Sequence, residues 1–124
     1  MSDHETTVRR HWACAEARDW RGYAATLATD VVYEAPQTRE RIRGREALVA
    51  YMSAYPGDWH VPVATVVAGG SGAVSRVDAL VGAEEMTGIC FFEMGEDGLI
   101  RSMQDWWPQP YDLPPEREGS SERY

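Results

Sequence analysis

A chain of 124 residues, 44% of them apolar, is long enough for one domain around one core and too short for two. Its net charge of -8 and pI near 4.8 exclude nucleic acid and anionic membranes as partners, because both require a basic footprint. No run approaches the ~20 apolar residues of a membrane span and residues 1–10 hold no leader-like apolar stretch, so a soluble cytoplasmic protein is expected.

Along the chain, Val8, Trp12 and Ala15 fall at helical spacing with His11 beside them, which predicts an amphipathic helix from Glu5 to Arg18. Cys14 in that pattern and Cys90 further on, in an apolar strand, read as free buried thiols rather than a disulfide, in keeping with a reducing compartment. Asp19 opens a second helix, with Trp20, Tyr23, Ala24 and Leu27 on its inner face. Val31 to Ala35 is a short strand stopped by Pro36, and Gln37 to Arg43 reads as a polar loop with arginines at alternate positions, ended by Gly44. A third helix, Arg45 to Tyr55, presents Leu48, Tyr51, Met52 and Tyr55 on one side before Pro56-Gly57-Asp58 breaks it.

From there the period becomes alternating. Four runs, 59–68, 73–82, 85–94 and 99–107, are joined by Gly-rich turns and predict a meander. Helix, helix, strand, helix and then antiparallel strands describe an α+β domain: a cone-shaped, curved antiparallel sheet carrying three helices, over residues 1–107. Residues 108–124, rich in Pro, Glu, Arg and Ser, form a tail that is either disordered or an arm over the body. Such a cone encloses an apolar pocket, and five Trp and six Tyr either line it or fill the core. The expected partners are an apolar small molecule and a second copy of the chain.

The polar residues of interest lie on the strands. Val74, Arg76, Asp78 and Leu80 share one face of theirs, and Leu99, Arg101, Met103, Asp105 and Trp107 share one face of the last. If the strands are neighbours, two carboxyls and a guanidinium meet in an apolar interior. There one carboxyl is pushed toward the protonated form while the other stays ionised, so one donates and the other accepts. Taken singly, Arg76 with Asp78 is an ordinary surface pair and Asp105 an acid closing a strand end. His11 is either a core histidine or a ligand contact. His4, His11 and His60 are too scattered for a metal site, and no cofactor is called for.

The segments Ala17-Arg18-Asp19-Trp20, Asp30 to Pro36, Arg43 to Ala47, Gly98-Leu99-Ile100 and Asp105-Trp106-Trp107 resemble the SnoaL-like group of the nuclear transport factor 2-like superfamily. The resemblance runs from Val8 to Trp107 and implies the cone fold and a homodimer through the open sheet face. Within the superfamily, limonene epoxide hydrolase is similar in its polar residues. Arg76, Asp78 and Asp105 match its Arg-x-Asp and second Asp, and Tyr33 matches its water-holding tyrosine, while Ala35 stands where it has an asparagine. The resemblance implies epoxide opening, by water or by an internal hydroxyl, or a polyketide-type cyclisation, with Asp105, Asp78, Arg76 and Tyr33 as catalytic residues. His11, Trp12, Tyr51, Cys90, Phe92, Met103 and Trp107 are the expected substrate contacts. Ketosteroid isomerase matches less well, since its three catalytic positions fall on His11, Ala35 and Cys90. The competing expectation is a non-catalytic binding or dimerisation module.

Overall fold

The computed structural model describes residues 3–124; Met1 and Ser2, the start of the polar N-terminus, lie outside the described residues. Helix α1, Asp3–Ala17, buries Val8, His11, Trp12 and Ala15 on one stripe. It ends with Arg18 in the left-handed region at φ 59, where Asp19 N–H bonds Cys14 O at 2.8 Å and Arg18 N–H bonds Ala15 O at 3.1 Å. These are the paired closing bonds of a helix C-terminus that glycine usually provides. Asp19 at once caps α2, Trp20–Ala25, accepting the Gly22 N–H at 2.9 Å. The two helices are thus joined by a sharp corner whose chemistry is local in sequence.

Leu27, expected on α2, instead begins β1, Leu27–Ala35. The expected loop up to Arg43 contains a strand, β2, Glu40–Arg43, which pairs antiparallel with β1 and joins Arg41 Nη2 to Glu34 Oε2 at 2.6 Å. Its charged residues suit a solvated sheet edge, and only Ile42 is half-buried, so alternation gave little to read. Helix α3, Arg45–Ser53, follows Gly44 at φ 94.

The remaining strands are β3 (Trp59–His60), β4 (Val63–Gly69), β5 (Gly72–Val81), β6 (Glu84–Met94) and β7 (Ile100–Trp106). The first run of the predicted meander is split in two at Val61-Pro62, since proline cannot donate to a ladder. The order across the sheet is β2-β1-β7-β6-β5-β3, with β4 also paired to β5. One correction to the expected architecture concerns direction. β1 and β7 run parallel, so the sheet is mixed. Register shifts between Glu93 and Met94, Leu27 and Val32, and Val63 and Thr65 bend the sheet around the helices. No helix among the described residues is long and apolar enough to cross a membrane. The tail leaves β7 at Trp107 and contains one 3-10 turn, Pro115–Arg117.

Candidate active site

The concave face of the sheet carries a row of small side chains. Asp105 on β7 sits opposite Cys90 on β6, which sits opposite Ser75 on β5; in the next two inward rows Gly88 pairs with Val77 and Met86 with Ala79. Small residues there leave space under the helices, and a cavity of about 450 Å³ fills it. Its walls include Trp12 of α1, Tyr33 and Ala35 of β1, Tyr51 and Met52 of α3, Trp59, Ala79, Met86, Trp107 and Asp105.

Asp105 is the polar centre of this space. It is only 6% exposed, and its Oδ2 accepts two hydrogen bonds, from Tyr33 Oη at 2.8 Å and from Trp107 Nε1 at 2.9 Å. Oδ1 is buried and, apart from the weakly donating Cys90 thiol beside it, without a hydrogen-bond partner. Burial penalises the charged form and pushes the carboxyl up from 3.8 to about 6, while the bonds from Trp107 and Tyr33 hold it back from rising further. The same carboxylate and burial raise the Tyr33 phenol, which stays a donor. A carboxyl that changes charge near neutrality inside an apolar chamber is able both to accept and to return a proton.

The other expected catalytic pair is elsewhere. Arg76 and Asp78 share a face with Val74 and Leu80 as predicted, but that face is the outer one, and their side chains are 55% and 61% exposed with Nε and Oδ1 3.6 Å apart. The interior positions of β5 are Ala73, Ser75, Val77 and Ala79. Small residues face inward because helix aromatics and the cavity occupy that side, and the larger Val74 and Leu80 on the outside inverted the apolar signal. Arg101 is likewise exposed while Met103 and Asp105 are buried, because the register shift at Glu93/Met94 interrupts the alternation along β7.

Of the expected substrate contacts, Trp12, Tyr51 and Trp107 line the cavity, whereas His11, Cys90, Phe92 and Met103 are packed in the core and do not. His11 lies against Tyr23 and Phe92, with ring centroids at 4.3 and 5.6 Å. Thr26 Oγ1 donates to Tyr23 O at 2.7 Å, so it accepts from His11 Nδ1–H at 3.0 Å, and the unpartnered Nε2 carries the lone pair. Burial pushes this imidazole down to about 3 and keeps it neutral. Trp12 is fixed by its Nε1–H donating to Ser75 Oγ at 3.0 Å.

Several wall residues were not among the expected site residues. Trp59 is held by Arg18, whose guanidinium stacks 3.4 Å from the indole centroid and whose Nη2 donates to Trp59 O. His60, at the rim, lies between Glu16 Oε2 at 2.7 Å and Asp58 Oδ1 at 3.1 Å. Gln37 accepts the Trp107 backbone N–H through Oε1, pinning the chain as it leaves β7. A glycine inside a strand pattern, Gly88, was the one local signal of a close approach at the site.

Comparison with known proteins places this geometry. No curated protein sequence matches the chain. Among solved structures, a Kribbella flavida protein provisionally named a ketosteroid isomerase is 38% identical, with 98% of this chain and 90% of that one covered and a TM-score of 0.93. A Burkholderia xenovorans NTF2-like protein of unknown function is 19% identical over 98% and 95% of the two chains, TM-score 0.80. An epoxide hydrolase of M. tuberculosis, described as like limonene epoxide hydrolase, is 20% identical over 86% and 83%, TM-score 0.71, a likeness of fold. The chain shares its fold, a cone-shaped sheet with three helices, with NTF2-like proteins, and the SnoaL-like domain model, matching residues 8–103, shows that it belongs to the SnoaL-like family.

Proposed function

We propose that the protein is a cofactor-independent proton-transfer enzyme acting on a neutral, apolar, oxygenated small molecule, with Asp105 as the base. The observation that carries this reading is a single carboxyl of pKa about 6, buried on the wall of a 450 Å³ aromatic cavity and held by two donors. In the proposed reaction the Asp105 carboxylate takes a proton from a carbon next to a carbonyl. The C–H electron pair moves into the enolate, whose oxygen is met by the Tyr51 hydroxyl. Tyr51 lies 6.1 Å from Tyr33, centroid to centroid, and its hydroxyl has no protein partner among the described residues. The enolate then either regains the proton from Asp105 at another carbon, an isomerisation, or attacks a second carbonyl of the same molecule, a cyclisation in which the C=O π pair moves to oxygen and the resulting alkoxide takes the proton from Asp105. Epoxide opening calls for an acid beside the base, and with Asp78 on the outer face the cavity wall has no counterpart from β5. Tyr33 spends its one O–H on Asp105, and Ala35 in the cavity wall offers no side-chain partner for a water beside it.

The outward Asp78 favours a second reading, a binding module without catalysis. One experiment separates the two. β,γ-Unsaturated cyclic ketones and linear polyketide-like diketones are incubated in D₂O with wild type and with Asp105→Asn, and followed by NMR. Deuterium uptake or rearranged product that falls by ~10²–10⁴ in the variant supports proton transfer. Ligands that perturb the protein's spectrum in both proteins while exchanging no faster than in buffer support binding alone. For assembly, we propose that the outer face, where Phe91 and Trp106 are exposed beside Val67, meets a second copy, which sedimentation at micromolar concentration would test.

A further inference from the structure

Gly88 lies in the middle of β6, where a glycine weakens a strand and packs nothing, and its backbone needs no left-handed conformation. What it provides is closeness. A Cβ at this position would lie 2.7 Å from Cη2, 2.8 Å from Cζ3 and 3.1 Å from Cζ2 of Trp107, so the indole rests directly on the strand backbone. The other end of that ring system donates Nε1–H to Asp105 Oδ2 at 2.9 Å. The Trp107 backbone is tethered on its other side, its N–H donating to Gln37 Oε1. An added methyl group would therefore tilt the ring, and tilting it about its anchored end draws Nε1 away from the carboxylate.

We propose that Gly88 is a positioning residue of the active site: its missing side chain is the seat that lets the Trp107 indole come close over β6 and hand its N–H to Asp105. This rests on the reading of Asp105 as the base, and it assigns the tuning of that base to a residue that touches neither the acid nor substrate. Of the two donors on Oδ2, Tyr33 comes from β1 and reaches Asp105 regardless of β6, so Gly88 controls one donor without disturbing the other.

The test is a ¹³C NMR titration of the Asp105 carboxyl in the ligand-free protein, alone and as Gly88→Ala, Trp107→Phe and the double variant. Loss of one charge-assisted bond is expected to move the Asp105 titration upward by about one pH unit in Gly88→Ala. Trp107→Phe should give a similar rise, and the double variant no further rise, since both single changes remove the same bond. A Gly88→Ala protein that titrates like wild type, or a double variant with the two shifts added, overturns the proposal. If Gly88→Ala does not fold, Gly88→Ala/Trp107→Ala decides: restored folding supports the seat, and continued misfolding locates the clash elsewhere and overturns it. Because the titration needs no substrate, its result is independent of whether turnover is found. Where turnover is found, the rising limb of kcat/KM against pH should move with the titration.

Discussion

Removing the charge from the cavity should make the protein more stable at neutral pH while abolishing the proposed proton transfer. A folded-state carboxyl raised from 3.8 to about 6 binds its proton more tightly than the unfolded chain does, so its ionisation opposes folding. The sign follows: this destabilisation is absent at pH values below both constants, grows as pH rises between them, and is complete above about 6. Its full size is about 3 kcal/mol, and integrating the two titrations gives about 1 kcal/mol already present near pH 4.5, leaving ~2 kcal/mol to appear between about pH 4.5 and 7.5. Asp105→Asn preserves shape and removes the titration. Any cost of placing an amide beside Cys90 is the same at both pH values and cancels in the difference. Urea unfolding of both proteins at the two pH values, followed by far-UV circular dichroism, measures it. With m near 1–3 kcal/mol per molar for a domain of this size, the midpoint gap between variant and wild type should widen by about 1 M urea at the higher pH. A gap that changes by less than about 0.3 M would refute the argument, since it would mean that Asp105 ionises in the folded protein at no cost.

Three further outcomes follow from the same geometry. Tyr33→Phe deletes the 2.8 Å bond to Asp105, so kcat/KM, which should rise with pH to a plateau above about 6, should keep its shape and move to higher pH; an unmoved profile would exclude Asp105 as the titrating base. Arg76→Ala and Asp78→Asn sit on the outer face and should leave turnover intact and stability within about 0.5 kcal/mol, as exposed ion pairs do, which thermal melts and the same assay would check. Ala79→Phe projects into the cavity from β5 and should weaken substrate binding at least tenfold while the Asp105 titration stays in place; ligand titration against tryptophan fluorescence reads the first and NMR the second.

The helices were legible because their signals are local: an apolar stripe on α1, the Asp19 cap, and the Gly44 and Pro56 boundaries. The order of elements pointed to a cone, and the family resemblance implied the same. What the sequence left open was orientation across the sheet. Strand alternation says which residues share a face and leaves open which face is inside, and on β5 size ran opposite to depth, with Val74 and Leu80 outside and Ala73 and Ala79 within. Arg76 and Asp78 therefore moved as a pair to the wrong side, although Asp105 and Tyr33 meet. The bulge at Glu93/Met94 hid the phase of β7 in the same way. His11 had the right spacing for the interior, but its partner Thr26 lies 15 residues away across the helical corner, a pairing that no window of periodicity contains.

The parallel pairing of β1 with β7 has a bearing on how the protein comes to exist. β7 lies between β1 and β6 and is the last strand of the sheet to be made, so until residues 100–106 emerge the sheet is in two pieces, β1 with β2 and the β3 to β6 meander, connected through α1, which packs on β4 and β5. Inserting β7 joins them, and the same event delivers Asp105 to Tyr33, 72 residues earlier. Contacts of that sequence separation form late and slowly. Assembly of the cavity wall and closure of the sheet are thus one step, and the Asp105 carboxyl resists ionisation only once that step is complete.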